Sequence, residues 1–165
     1  MPKNYGLIIS EPKQGDYILG EYSEIENVIL RPDGQWDDYL PAREYQHGLY
    51  FDTSACVTFS ALNCLETFLK VTGQTEHNWS DRFTAKMSGT VPYRGNSLDN
   101  VADSIRHDGL VKEEEWSYPR EQRTPVFSID DYYCDVPETI QHLGQLFLNL
   151  FEVQREWVGG SDNMS

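Results

Sequence analysis

The strongest helical pattern in the chain follows Ser54. From about residue 55 to residue 71, apolar side chains recur every three or four positions, which is the spacing of one face of an α-helix. Ser54 is a residue type that often caps a helix N-terminus, and Gly73 is a common stop signal. The pattern predicts a first helix over these residues. The apolar positions on its buried face are Phe59, Leu62, Leu65, Phe68 and Leu69.

Two shorter helices are predicted in the middle of the chain. Ser80 is a good N-cap for a helix within residues 79–87, although few apolar residues mark its buried face. A further helix opens at Asn96 or Ser97 and shows apolar residues at helical spacing. The Asp-Gly pair at residues 108–109 closes it, because glycine readily takes the backbone conformation that follows a helix end.

The last third of the chain alternates between irregular and regular patterns. Residues 119–135 contain two prolines and no sustained period, which predicts a loop. Pro137 suits the first turn of a fourth helix, whose apolar stripe continues to residue 151. Residues 152–158 alternate between polar and apolar side chains and predict a strand, and residues 159–165 predict a solvated end.

The first fifty residues lack such periodicity. Turn-forming residues separate short apolar runs, such as those at residues 17–19 and 28–30, so we expect an extended lead-in with one short strand. The patterns divide the chain into this lead-in, residues 1–50, a helical region, residues 51–119, and a loop, helix and strand over residues 120–165. The predicted fold class is therefore α+β and mostly helical.

Composition and charge narrow the classes of function. The 165 residues, of which 39% are hydrophobic and 13% aromatic, suffice for a packed core. Thirteen basic against 27 acidic residues give a net charge of −14, which would repel the phosphates of nucleic acid. The short apolar run at residues 6–9 is too short for a signal-peptide core or a membrane span. We therefore expect neither nucleic acid nor a membrane as partner.

The three cysteines indicate the compartment and a candidate nucleophile. An odd number of dispersed cysteines does not form a disulfide framework and favours a reducing compartment such as the cytoplasm. Cys56 starts the first predicted helix, where unpaired N–H groups favour a thiolate, the form in which cysteine is a nucleophile. The alternative is a small buried hydrophobic residue, which is the role that we expect for Cys64. No Cys/His cluster has the spacing of a metal site, so we expect neither metal nor cofactor.

Several segments occur in an order that is shared with one enzyme family. They are residues 36–41 (WDDYLP), 56–61 (CVTFSA, with Glu66 on the same helix), 79–81 (WSD), 96–111 and 116–119 (WSYP). Together they resemble the first domain of papain-like cysteine peptidases, in matching order over roughly residues 36–119. The resemblance implies a mostly helical domain with an extended N-terminal segment and a C-terminal helix that leads into a missing β-rich second domain.

The resemblance also assigns residues to the chemistry of amide hydrolysis. It implies that Cys56 is the nucleophile and that its backbone N–H stabilises the oxyanion. The family's oxyanion-binding glutamine corresponds to Tyr50 here, and the nearest upstream glutamine, Gln46, is the candidate replacement. The glycine pair that binds the substrate backbone in the family has Gly95 and Asn96 as its counterpart.

The catalytic base is the largest departure from the family. A cysteine nucleophile needs an imidazole within hydrogen-bond reach, and the family's histidine lies about 130–150 residues after the cysteine. From Cys56 that range falls beyond Ser165, and none of the histidines present matches the family's context. They are His47, His77, His107 and His142. We therefore expect a truncated or split peptidase, inactive alone, whose histidine comes from a second domain or a partner chain.

A second interpretation comes from a different class of protein. The chain could be a non-catalytic papain-like module that binds a peptide or a partner protein, with Cys56 as a relic of catalysis. Both interpretations predict a peptide or protein as the ligand, and they differ in whether the thiol reacts.

Overall fold

The computed structural model describes residues 6–8, 17–18, 36–73, 77–153 and 156–157, and over these ranges the chain is mostly helical with little strand. The helices are α1 (Cys56–Val71), α2 (Asp81–Met87), α3 (Leu98–Asp108), α4 (Ile129–Tyr132) and α5 (Glu138–Leu148), with 3₁₀ turns at Asp37–Tyr39 and Arg120–Gln122. Strands β1 (Tyr17–Ile18) and β2 (Glu156–Trp157) pair in parallel, with Tyr17 opposite Glu156. The mostly helical fold is confirmed. The predicted apolar run at residues 28–30 and the solvated end at 159–165 lie outside the described residues.

The predicted N-cap of α1 is wrong by one residue. The helix begins at Cys56 with Ala55 as N-cap, and no side chain caps it. Ser54 instead has a φ of +60° and accepts a hydrogen bond from the backbone N–H of Tyr93 at 2.9 Å. Because its hydroxyl bonds to a loop that is distant in sequence, Ser54 does not cap α1.

The caps of α2 and α3 are as predicted. The Ser80 hydroxyl accepts a hydrogen bond from the backbone N–H of Phe83, and the Ser97 hydroxyl accepts one from that of Asn100. Each bond satisfies an N–H group that has no partner within the helix. Gly109 follows α3 with a φ of +77°, a conformation that L side chains rarely adopt.

The predicted loop over residues 119–135 contains α4, so this prediction is wrong in part. Ser128 and Asp131 form a reciprocal capping box, in which the side chain of each residue accepts a hydrogen bond from the backbone N–H of the other. Ile129 and Tyr132 are buried against the core that includes Phe51. Four residues are too few to show a period in the sequence, and tertiary burial stabilises this turn instead.

The core forms where α1 packs against α2 and α3, and where α3 packs against α5. Glu66 is buried on α1 and accepts the backbone N–H of Trp79 at 2.8 Å, which ties the start of the α2 segment to α1. Two positions differ from the sequence prediction: Phe68 is 61% exposed, and Cys64 is exposed rather than packed in the core. Among the described residues, no helix is long and apolar enough to cross a membrane.

Candidate functional site

Cys56 is the first residue of α1 and is half-buried. Three parts of the chain meet around it: the turn at residues 46–54 that leads into α1, the backbone of residues 93–96, and residues 6–8, which we call the N-terminal segment. These three parts form the candidate site.

The turn that leads into α1 is closed by hydrogen bonds across its base. The backbone N–H and the hydroxyl of Thr53 donate to the carbonyl oxygen of Gln46 at 3.3 and 3.2 Å. The guanidinium of Arg123 donates to the same oxygen at 2.6 Å, and the Tyr133 hydroxyl donates to the carbonyl oxygen of Thr53 at 2.6 Å. The start of α1 is thus anchored to the segment around α4.

The side chain of Gln46 lies in this turn and bonds to a carboxylate. Its Nε2 donates to Asp52 Oδ1 at 3.0 Å, and the same oxygen accepts the backbone N–H of Ser54 at 2.7 Å. One of the two donors of the carboxamide is therefore engaged with a carboxylate. The oxyanion role of Gln46 stays a prediction.

The local environment of Cys56 opposes a thiolate. Burial raises the pKa of the Cys56 thiol, and the Asp52 carboxylate raises it further, whereas the backbone N–H groups of Val57 and Cys56 lower it. The net pKa is above the ordinary value for cysteine. The expected bias toward thiolate is therefore wrong for this arrangement, because a helix N-terminus is outweighed by burial and a neighbouring negative charge.

The side chain of Asn96 is buried and makes its hydrogen bonds within the protein. It is therefore not a contact for a ligand side chain. Its Nδ2 donates to the carbonyl and hydroxyl oxygens of Ser88 and to the Thr90 hydroxyl, at 2.9 to 3.1 Å. Its Oδ1 accepts the backbone N–H of Ser97 at 2.8 Å and the Asn100 amide at 2.9 Å. This network fixes the backbone of residue 96.

The backbone of Asn96 pairs with the N-terminal segment. The Asn96 N–H donates to the Gly6 carbonyl oxygen at 2.8 Å, and the Ile8 N–H donates to the Asn96 carbonyl oxygen at 2.7 Å. Leu7 thus forms a parallel bridge with Asn96. We call these two backbone groups of Asn96 the Asn96 edge.

Gly6 brings this pairing directly beside the thiol. A Cβ added to Gly6 would lie 3.1 Å from the Cys56 sulfur and 3.1 Å from the Ser54 carbonyl oxygen. A Cβ added to Gly95 would collide with the Gly6 backbone. The structure therefore brings Cys56, Gly95 and Asn96 together, three of the four predicted site residues, around a stretch of extended backbone.

Two strained residues border the same region. Ser54 and Tyr93 have φ values of +60° and +64°, and they are the non-glycine residues with positive φ among those described. A hydrogen bond joins them, from the Tyr93 N–H to the Ser54 hydroxyl at 2.9 Å. Positive φ values at non-glycine residues cost about 1–3 kcal/mol each and are concentrated at functional sites. Two such residues joined by a hydrogen bond near Cys56 therefore support the interpretation of this region as a functional site.

The histidines make other contacts. His47 Nδ1 lies 3.7 Å from Asp52 Oδ2 at the edge of the site. His77 stacks on Trp79, and Nδ1 of His107 bonds to the carbonyl oxygen of Asp103 at 2.7 Å. His142 is exposed on α5.

A second polar cluster lies in a cavity of about 220 Å³ that is bordered by α2. Burial raises the pKa of Asp81 and Glu44, and it raises the pKa of Glu113 to about 8, with the Glu44 carboxylate adding to the effect. No group of acidic, cysteine or histidine side chains in the described ranges could hold a metal ion.

No protein-family model matches the chain, and no curated protein matches it. The fold therefore defines a helix-rich domain, and the papain-like assignment is a proposal.

Gly6, Asp52 and Ser54 are site residues that the sequence analysis missed. The spacing Asp-x-Ser is a local signal, because an aspartate commonly accepts the N–H two residues later. Gly6 has no such signal, since its contact with Cys56 depends on how distant parts of the chain pack.

Proposed function

We propose that this chain is the nucleophile-bearing part of a papain-like cysteine peptidase. Cys56 is the nucleophile, a peptide or protein is the substrate, and the catalytic histidine comes from a second domain or a partner chain. One observation carries the proposal: the backbone of the N-terminal segment pairs with the Asn96 edge directly beside the Cys56 sulfur. Peptide substrates are bound in the same way, through main-chain hydrogen bonds to an exposed edge.

The chemistry follows from the groups around Cys56. The incoming imidazole removes the proton from the thiol, and the sulfur attacks the peptide carbonyl carbon to form a tetrahedral oxyanion. The backbone N–H groups at the start of α1, that of Cys56 among them, are the donors for this oxyanion. The imidazolium then protonates the leaving amine, and water hydrolyses the thioester to release the acid and regenerate the thiol.

The raised pKa of Cys56 agrees with a mechanism in which another domain or a partner chain supplies the base. A thiol that stays protonated at neutral pH reacts slowly until a base is close, so the isolated chain should be inert. An imidazolium near the sulfur would offset the Asp52 carboxylate and lower the thiol pKa. Inactivity of the isolated chain on generic peptide substrates is therefore expected.

A peptidyl chloromethyl ketone tests the proposal. The reagent offers an electrophilic carbon where the substrate carbonyl would lie, so its binding to the Asn96 edge, in competition with the N-terminal segment, should direct it to Cys56. We expect Cys56 to be modified at least about tenfold faster by this reagent than by iodoacetamide, relative to the exposed Cys64 in the same chain. Equal preference for the two cysteines would contradict the proposal, and mass spectrometry of the digested protein separates the sites.

A non-catalytic peptide-binding module is the second candidate. The hydrogen bond from the Gln46 carboxamide to Asp52 favours it, because one donor of the candidate oxyanion-binding group is already used in this arrangement. Both candidates predict that a Cys56→Ser variant binds peptide and that the peptidyl reagent is directed to Cys56. Only the peptidase predicts turnover of a peptidyl ester by Cys56 when free imidazole supplies the base.

A further inference from the structure

We propose that the cavity bordered by α2, which we call the α2 cavity, is a binding site for a small apolar amino acid, held through both its ammonium and its carboxylate group. The α2 cavity is separate from the candidate peptidase site, because Cys56, Gly95 and Asn96 do not line it. Binding there requires neither the Cys56 thiol nor a second domain, so it is independent of the proposed function.

The α2 cavity has the size for a small metabolite, and its lining carries both signs of charge. Its volume of about 220 Å³ is below the ~300–1,000 Å³ of clefts that hold drug-sized ligands. Among the described residues, four arginines and four acidic residues line it. No ion pair among the described residues joins a guanidinium and a carboxylate of this lining. Such a lining is complementary to a ligand that itself carries one charge of each sign.

The acidic groups of the lining are suited to an ammonium group. The carboxyl groups of Glu44 and Asp81 share a hydrogen bond, and Asp81 Oδ1 has no other hydrogen-bond partner. Burial raises the pKa of both groups and of Glu113, and neighbouring carboxylates raise the pKa of Asp81 and Glu113 further. An ammonium group beside them would donate hydrogen bonds to these oxygens and offset the repulsion between the carboxylates.

The donors suited to a carboxylate come from residues 118–123, at and beside the second 3₁₀ turn. Tyr118 and Arg123 are 8% and 3% exposed, and Tyr118 Oη and Arg123 Nε have no hydrogen-bond partner. The Nε of Arg120 is likewise buried and without a partner, and all three residues line the α2 cavity. Buried polar atoms are nearly always hydrogen-bonded, and guanidinium N–H groups match carboxylate oxygens. Three such atoms on one cavity therefore indicate a ligand with acceptor oxygens.

The remaining lining distinguishes an amino acid from a metal ion. Phe59 and Tyr132 are buried aromatic residues that line the α2 cavity, and they offer apolar surface to the side chain of a ligand. No group of acidic, cysteine or histidine side chains in the described ranges could hold a metal ion. The cation that these carboxyl groups favour is therefore an organic one.

Isothermal titration calorimetry of the full chain with L-leucine tests this site. Two further probes share the carbon skeleton of leucine and each lack one charged group: 3-methylbutylamine lacks the carboxylate, and 4-methylpentanoate lacks the ammonium group. We expect leucine to bind at least about tenfold more tightly than either probe, because only leucine engages both sets of partners.

Two variants test the two ends of the ligand separately. Glu113→Gln removes a carboxylate, and Arg120→Gln removes a guanidinium. Both residues are only partly buried, so both variants should fold. Each should weaken leucine binding by about tenfold. Glu114→Gln and Arg106→Gln are the matched controls, since both residues are exposed and do not line the α2 cavity, and they should leave the affinity unchanged.

Three results would overturn the amino-acid site. The first is that the wild-type chain does not bind leucine at millimolar concentrations. The second is that either single-group probe binds as tightly as leucine, which would indicate a site for one charge only. The third is that Glu113→Gln and Arg120→Gln bind leucine as tightly as their controls do.

Discussion

Asp52 and the Cys56 thiol are coupled through charge. After burial, which is the largest influence, the Asp52 carboxylate is the group that raises the pKa of this thiol. We predict that Asp52→Asn lowers the pKa of Cys56, because the amide removes the charge while its oxygen can still accept the Ser54 N–H. The pH dependence of Cys56 alkylation should shift to lower pH.

Asp130→Asn is the control for that prediction. Asp130 is an exposed residue of α4, and its charge is not among the influences on Cys56. The pH profiles of Cys56 alkylation in Asp52→Asn and Asp130→Asn should differ clearly. A pH profile of Asp52→Asn that coincides with the wild-type profile would show that the carboxylate does not act on the thiol.

Asn96 should be the most sensitive polar residue of the site. Asn96→Ala would leave the buried partners of its amide without hydrogen bonds, among them Ser88 and Thr90. We predict a loss of about 2–4 kcal/mol in the free energy of unfolding, measured in urea. Asn100→Ala, which removes one bond to Asn96 at an exposed residue, should cost about 1 kcal/mol or less. Similar losses for both variants would contradict the central role of Asn96.

At the scale of elements, two glycines set the distance between α3 and α5. A Cβ on Gly109 would collide with the Gly144 carbonyl oxygen, and a Cβ on Gly144 would meet the Phe83 ring at 2.9 Å. We predict that Gly109→Ala lowers the free energy of unfolding by about 3 kcal/mol. Gly73→Ala shares the positive φ without the collision and should cost about 1 kcal/mol. Equal costs in chemical denaturation would mean that α5 does not pack this closely.

The helices differ in how far their sequences predict them. Ser80 and Ser97 each accept a backbone N–H three residues later in the same helix. The starts of α2 and α3 can therefore be predicted from the residue types alone. Ser54 has the same chemistry, yet its hydroxyl bonds to Tyr93, 39 residues away in sequence, and only the folded chain shows this. The short α4 depends on burial of Ile129 and Tyr132, which no local period indicates.

At the scale of the whole molecule, the wholly or partly buried carboxylates around the α2 cavity link stability to pH. Burial, followed by the Glu44 charge, raises the pKa of Glu113 from its ordinary 4.5 to about 8. The folded state therefore holds this proton more tightly than the unfolded state. The associated stability is present at low pH and is lost as pH rises through about 8.

Glu113→Gln should remove this dependence. At pH 4 the variant and the wild-type chain should have similar free energies of unfolding, because Glu113 is then mostly protonated in both the folded and the unfolded state. At pH 9 the variant should be more stable by about 2 kcal/mol or more, since no charge must form at this half-buried position. Glu114→Gln at the exposed neighbouring position is the control and should change stability by about 0.5 kcal/mol or less at either pH. A constant difference across pH would contradict the assignment.

The site as a whole was predictable only in part. The resemblance around residue 56 selects Cys56, Gly95 and Asn96, and these three do lie around one stretch of backbone. The charge state of the thiol depends on how Asp52 and the surrounding chain pack, so it could not be read from the position of Cys56 at a helix start. The contact of Gly6 is likewise set by packing between residues far apart in sequence.

Chemical rescue by imidazole tests the central claim most directly. Free imidazole can supply the base that the claim assigns to another part of the peptidase, so it should start turnover of a peptidyl ester by Cys56. The wild-type and Gly6→Ala chains are both assayed, because the segment that pairs with the Asn96 edge lies beside the thiol, and Cys56→Ser corrects for hydrolysis by imidazole alone. The account predicts imidazole-dependent turnover above the Cys56→Ser rate. Rates equal to that of Cys56→Ser in both chains, at every imidazole concentration, would contradict it.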